Sequence, residues 1–225
     1  MRILIVLITI VQVTSLGKIT KDELLGKFNP ADHEDFLRVE AKYTNKQSIY
    51  LRKEAYKAFT AMHDAASDED IELKIISATR NFNYQKSIWE RKWDKPKYMG
   101  WEPILKAKDI LTYSSMPGTS RHHWGTDIDM NNLNNSYFES GQGLKIYAWL
   151  QECASEYSFK QVYTSKEDGR TGYNEEKWHW SYTPLSDEYL KEYNRLVSIG
   201  DIEGFIGSTS AEGLNVINEY VNGID

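Results

Sequence analysis

Cysteine is almost missing from this chain: Cys153 is the only one in 225 residues. No internal disulfide can form, so stability has to come from the core and from any bound metal. Cys153 itself falls on an apolar helical face within 150–154 and reads as a small core residue rather than a nucleophile. Positive charge is also short. Lys and Arg number 27 against 33 Asp and Glu, a net charge of −6, which disfavours a phosphate-backbone partner and so excludes nucleic acid as the expected ligand. After residue 17 no apolar run approaches the roughly 20 residues that cross a bilayer. There is no His-Glu-x-x-His helix, no Gly-x-Ser-x-Gly elbow and no phosphate-binding glycine loop. Their absence removes the commonest hydrolase and nucleotide-binding readings.

What is present begins with an address. Met1-Arg2 is followed by an apolar run from Ile3 to Val13 and then by Thr14-Ser15-Leu16-Gly17. A short basic start, an apolar segment of this length and small residues after it predict a secretory signal peptide over 1–17, hence an exported protein, periplasmic or secreted. The remaining length suits one domain with a real core. A hydrophobic fraction of 40% and a charged fraction of 27% are ordinary for a globular chain. Seven Trp and fifteen Tyr are more rings than the core needs, which suits a carbohydrate-rich or extended-peptide cleft. We expect an N-terminal extension over 18–50, a catalytic domain over 51–200 and a C-terminal helical tail over 201–225.

Periodicity gives a coarse map. Leu51, Ala55, Phe59, Met62 and Ala66 recur at helical spacing, while Ile71, Leu73 and Ile75 alternate as in a strand. That strand runs into Arg80, near its end. Asn83 is placed to cap a helix through about Trp93. Residues 94–113, broken by Pro96, Gly100 and Pro103, read as a surface excursion. A strand over 125–130 would set Asp127 and Asp129 on one face. Then come a helix over 143–157, a strand over 159–163, a strand over 178–182, partial helix over 184–197 and a terminal helix over 211–221. Strands and helices mix without a βαβ rhythm, so the expected class is α+β, a small antiparallel sheet with flanking helices.

Chemistry concentrates in two places. Gly118–Asn132 holds two imidazoles, a guanidinium, a hydroxyl and two carboxylates, and a second dense stretch runs from Glu175 to Trp180. A loop His122 and a strand Asp129, joined by His179 from a neighbouring strand, supply two nitrogens and one oxygen. That set suits Zn²⁺ with one position left open for water. Glu176, three residues before His179, brings a carboxylate near the metal without being a ligand, where it can take a proton from water whose pKa zinc lowers toward ~7. The same ligand set also describes non-haem Fe(II) oxygenases, but Glu176 would add nothing there. His63 is a lone helical histidine with no role; Arg121 and Arg170 could meet substrate carboxylates, but solvated surface charge is the better account.

These residues resemble a known family. Ser120-x-His122-x-x-Gly125-x-x-x-Asp129 followed by Glu176-x-Trp178-His179 is similar to the signature of the VanY-type zinc D-alanyl-D-alanine carboxypeptidases. That family also includes LD-carboxypeptidases and VanX-type dipeptidases, and shares its metal-site fold with hedgehog domains. Arg80, with Gln85 downstream, resembles a third element, so the likeness covers roughly 51–182. It implies that His122, Asp129 and His179 bind zinc and that Glu176 is the general base activating a zinc-coordinated water. It implies too that Arg80 polarises the scissile carbonyl, and that Ser120 and Gln85 help hold the substrate. His122 rather than His123 stands in the motif's register. The implied substrate is a peptidoglycan stem peptide or muropeptide, trimmed at its D-amino-acid end. A non-catalytic cell-wall-binding module retaining a zinc site is a further reading, disfavoured by the presence of both Glu176 and Arg80. One departure stands out: where the family has a small residue two before the Asp ligand, this chain has Asp127. Two roles fit it, an acceptor orienting an imidazole or a rival ligand.

Overall fold

Residues 18–167 and 169–225 are described by a computed structural model; the expected signal segment lies outside them. Among the described residues no helix is long and apolar enough to cross a membrane. The architecture is α+β. A four-stranded antiparallel sheet has the order β3–β4–β6–β5, formed by β3 (Ile75–Ser77), β4 (Asp127–Met130), β5 (Phe159–Gln161) and β6 (His179–Tyr182). A separate hairpin-like pair joins β1 (Phe36–Arg38) to β2 (Tyr50–Arg52). The helices are α1 (Lys21–Leu24), α2 (Lys53–Asp68), α3 (Phe82–Trp93), α4 (Pro103–Ile110), α5 (Gly141–Cys153), α6 (Thr183–Leu196) and α7 (Ser210–Gly213).

Two apolar clusters hold these elements. In one, Ala55, Phe59, Met62 and Ala66 of α2 and Ile146, Trp149 and Leu150 of α5 pack with Ile75, Ile128, Met130 and Trp180 of the sheet. The spacing of the α2 residues puts them on one helical stripe, and its burial is what forms the helix. The other cluster gathers Trp89 and Trp93 of α3, Ala107 and Ile110 of α4 and Tyr189 and Tyr193 of α6. Leu24 and Leu25 from the expected extension also belong to it, as do Ile202, Phe205, Val216, Tyr220 and Val221 from the expected tail. Both terminal segments therefore share a core with the helices beside the site.

Local chemistry explains where elements fall differently from the periodic reading. The cap of α3 is Asn81, whose side chain accepts from the Tyr84 N–H, two residues earlier than Asn83. Pairing begins only at Ile75, because β4 ends at Met130. Beyond it Asn131, at φ +60°, takes over: its N–H donates to the Lys74 carbonyl and its side-chain amide to the Glu72 carbonyl. Asn131 thus takes the Glu72 and Lys74 carbonyls where a ladder would have continued. The excursion at 94–113 contains α4 and a 3-10 turn at Pro96–Tyr98. Its prolines start these elements, where a missing N–H costs nothing. The terminal helix is split, into α7 and a wide turn at Ile217–Val221, by Asn215 at φ +47°.

Gly125 ends the 3-10 turn Arg121–Trp124 at φ +72°, and a Cβ there would run into the Phe36 ring and Arg52. Gly125→Ala combines a disfavoured backbone with an overfilled contact, and is expected to cost roughly 2–4 kcal/mol in urea unfolding. An unchanged midpoint would show that the turn relaxes freely.

Candidate active site

β4 and β6 pair with Asp129 opposite His179 and Asp127 opposite Ser181. Alternation puts both aspartates on the same face of β4, so His179 is flanked by two carboxylates. Its Nδ1 lies 3.0 Å from Asp129 Oδ1 and its Nε2 lies 3.0 Å from Asp127 Oδ1. The third group arrives from the 3-10 turn: His122 Nε2 stands 3.2 Å from Asp129 Oδ2. The ligand atoms of His122, Asp129 and His179 all fall within 4.8 Å of one another, and all three residues are buried. Ligands about 2.0–2.2 Å from a tetrahedral zinc sit roughly 3.3–3.5 Å apart, so a small contraction accommodates the ion. His122 Nδ1 is 2.8 Å from the Ala78 carbonyl. A carbonyl only accepts, so Nδ1 carries the proton and Nε2 presents its lone pair to the centre. The donor set fits a divalent zinc.

The electrostatics match that assignment. Burial alone would push His179 down, but its hydrogen bonds to Asp127 and Asp129 prevail and raise it to about 9. Burial opposes ionisation of Asp129 too, yet the two imidazoles hold it well below the usual carboxylate range. Without a cation the cluster keeps a proton that a metal would replace. Glu176 behaves oppositely. Burial first, then the nearby Asp129 charge, push it up to about 7, against the pull of His179, Arg80 and Lys92. A carboxyl near neutrality is suited to exchanging protons at physiological pH.

These groups line a cleft of about 570 Å³ together with Arg80, Gln85, Lys92, Tyr163 and Trp178. Arg80 lies just past β3 and is tied by its backbone to the His122 turn. Its N–H donates to the His122 carbonyl at 3.0 Å, and its own carbonyl accepts from His123 Nδ1 at 2.6 Å. His123 Nε2 in turn accepts from the Gly118 N–H. Packed between these two bonds, His123 faces away from the ligand cluster. Arg80 Nε is buried without a partner, as is Gln85 Oε1, so both have hydrogen-bonding capacity to offer a ligand. Ser120 is different: its Oγ is buried and unpartnered, but the residue does not line the cleft.

Two features went unread in the sequence. Arg121, expected in solvent, is 2% exposed and its Nε donates to Asp127 Oδ1 at 2.9 Å. Lys92 enters the cleft from α3, its Nζ 2.6 Å from Ser114 Oγ, and burial lowers its pKa. The spacing Gln85, Ile88, Lys92 puts all three on one helical face, a signal that was available.

The sequence model of the VanY family, described as D-alanyl-D-alanine carboxypeptidase, matches residues 48–185. The chain belongs to this family. Among curated relatives, YodJ of Bacillus subtilis is 32% identical over 163 residues, covering 71% of this chain and 56% of its own. The D-alanyl-D-alanine carboxypeptidase of Enterococcus faecalis is 25% identical over 162 residues, with 72% and 58% covered. The chain therefore spans little over half the length of these VanY relatives. Of solved structures, the LdcB LD-carboxypeptidase superposes with a TM-score of 0.56 at 26% identity, over 77% of this chain and 81% of that one. The VanY D,D-pentapeptidase of a VanB-type resistance cassette, solved with Zn(II), gives 0.51 at 21% identity over 77% and 93%. The fold is that of VanY- and LdcB-type zinc peptidases.

Proposed function

We propose that the protein is a zinc-dependent carboxypeptidase that removes the terminal D-amino acid from peptidoglycan stem peptides. The convergence of His122, Asp129 and His179 in a cleft that also holds Glu176 and Arg80 carries this reading. Family membership and the Zn(II) held by a protein of the same fold support it. An exported protein would meet such a substrate outside the cytoplasm.

His122 Nε2, an Asp129 carboxylate oxygen and His179 Nδ1 would hold the ion. When bound, zinc lowers the pKa of a coordinated water toward ~7 and withdraws electrons from the scissile carbonyl. Glu176 takes the proton from the attacking water and hands it to the leaving amine, one carboxylate serving as base and then as acid. Arg80, with its free Nε–H, donates to the carbonyl oxygen as negative charge builds there. Gln85, its Oε1 free, accepts from a backbone N–H of the peptide. A carboxypeptidase must also read a terminal carboxylate, and Lys92, a half-buried cation lining the cleft, is suited to it. Lys92→Met is expected to raise KM about tenfold to a hundredfold with a smaller change in kcat. An unchanged KM would remove Lys92 from substrate recognition.

An oxygenase is not favoured, because the Glu176 carboxyl poised near neutrality has no part in its chemistry. The test is mass spectrometry of a muropeptide ending in D-alanyl-D-alanine, and of one ending in a single D-alanine, after incubation with zinc-loaded protein. Loss of one alanine from either supports the reading and names the bond. Intact peptides beside a zinc-loaded, folded protein would refute it.

A further inference from the structure

Asp127 is fully buried. Its surroundings are complete. Oδ1 accepts from Arg121 Nε at 2.9 Å and faces His179 Nε2 at 3.0 Å, while Oδ2 accepts from the Thr126 hydroxyl. Arg121 Nη2 donates to Ser181 Oγ at 2.7 Å, and the guanidinium lies over the Trp124 ring, 4.8 Å from its centroid. Arg121, Ser181 and Trp124 are buried as well.

Asp127 lies outside the metal-ligating group. It approaches His179 Nε2, whereas Asp129 meets Nδ1, and its Oδ1 is already engaged by Arg121. That geometry rejects the rival-ligand role. We propose that Asp127, held by Arg121, is a positioning residue: it accepts the His179 Nε2–H and thereby commits Nδ1 to the metal. This rests on the zinc reading of the site above. The physical reason is that an imidazole between two carboxylates can present either nitrogen to either side. Fixing one acceptor with a guanidinium and a hydroxyl removes that freedom before metal arrives. Removing such a partner of a ligating histidine typically weakens metal binding 10–100-fold.

Arg121 and Asp127 also depend on each other. Either one alone would be an uncompensated buried charge, which destabilises strongly. The informative double variant therefore removes both charges, as Arg121→Met with Asp127→Ala, and is compared with an asparagine control, Arg121→Met with Asp127→Asn, whose amide oxygen can still accept from Nε2–H. Zinc affinity is read by competition with a chromogenic chelator, and the cobalt(II) absorption spectrum reports ligand geometry. We expect the double variant to bind zinc 10–100-fold more weakly with an altered cobalt spectrum, and the asparagine control to stay within a few-fold of the parent. A folded double variant that matches the parent in both readouts overturns the proposal. So does an asparagine control as weak as the double variant, because an acceptor role would then be excluded. Nitrogen-15 spectra of the zinc-loaded parent need no variant: a proton on His179 Nε2 supports the assignment, and a proton on Nδ1 overturns it. A parent that binds no zinc fails the site reading itself, whereas a parent that binds tightly beside equally tight variants fails only the role of Asp127.

Discussion

Glu176→Gln is expected to lower turnover of a D-alanyl-ended peptide by about 10²–10⁴-fold while leaving zinc content at the parent's level. Glutamine keeps the shape but can neither take nor release the proton. Stopped assays with metal analysis on the same sample check both halves. A variant as active as the parent would remove Glu176 from the chemistry, and loss of zinc would make it a ligand. The pH profile carries the same assignment. The base works only when ionised, so kcat/KM should fall on the acid side, tenfold per pH unit below the Glu176 pKa. Without metal that value is about 7, and a dication in the neighbouring cluster adds positive charge that moves the limb lower.

There is a stability counterpart with a definite sign. A carboxyl whose folded pKa lies above its unfolded value favours the folded state only while protonated. Its cost therefore grows as pH rises from about 4.5 to about 7. Metal-free Glu176→Gln should accordingly be more stable than the metal-free parent at pH 8, by on the order of 1–3 kcal/mol, with the difference vanishing near pH 4. Denaturant unfolding at the two pH values measures it. Equal stabilities at pH 8 would place Glu176 in a wetter site than the structure shows.

His122→Ala is expected to weaken zinc binding by roughly 10²–10³-fold or more, since it removes one of three protein ligands. It also strips the Ala78 carbonyl of its donor. The neighbouring imidazole is the control. His123→Ala should keep zinc, because His123 bonds the Arg80 carbonyl and the Gly118 N–H instead of the cluster. Its activity should nevertheless fall, through a displaced Arg80. Metal stoichiometry of the two purified variants decides between adjacent residues that composition alone treats as equivalent. Zinc lost from His123→Ala and retained in His122→Ala would reverse the assignment.

Much of this site could be read before the fold. The spacings of His122, Asp129, Glu176 and His179 call for a turn and two facing strands: the register of β4 against β6 sets Asp129 opposite His179, and the 3-10 turn Arg121–Trp124 delivers His122. Class and most helices followed from periodicity, because stripes such as Ala55–Phe59–Met62–Ala66 are buried as written. What escaped depends on three-dimensional partners. Arg121 looks like any surface guanidinium until Asp127 is seen to need it. α4 was hidden behind prolines that act as helix starts, and the backbone and side chain of Asn131 take the Lys74 and Glu72 carbonyls in place of a strand. The tail at 201–225 gave a weak local pattern, since its buried residues find their partners on α3 and α6 rather than along a stripe of their own.

The most direct test is a zinc titration of metal-free protein followed by calorimetry, alongside the same titration of His122→Ala. The account expects one tight equivalent in the parent, protons released as the ion displaces them from the His179 cluster, and a greatly weakened site in the variant. No binding in the parent, or a stoichiometry and affinity untouched by His122→Ala, would contradict it.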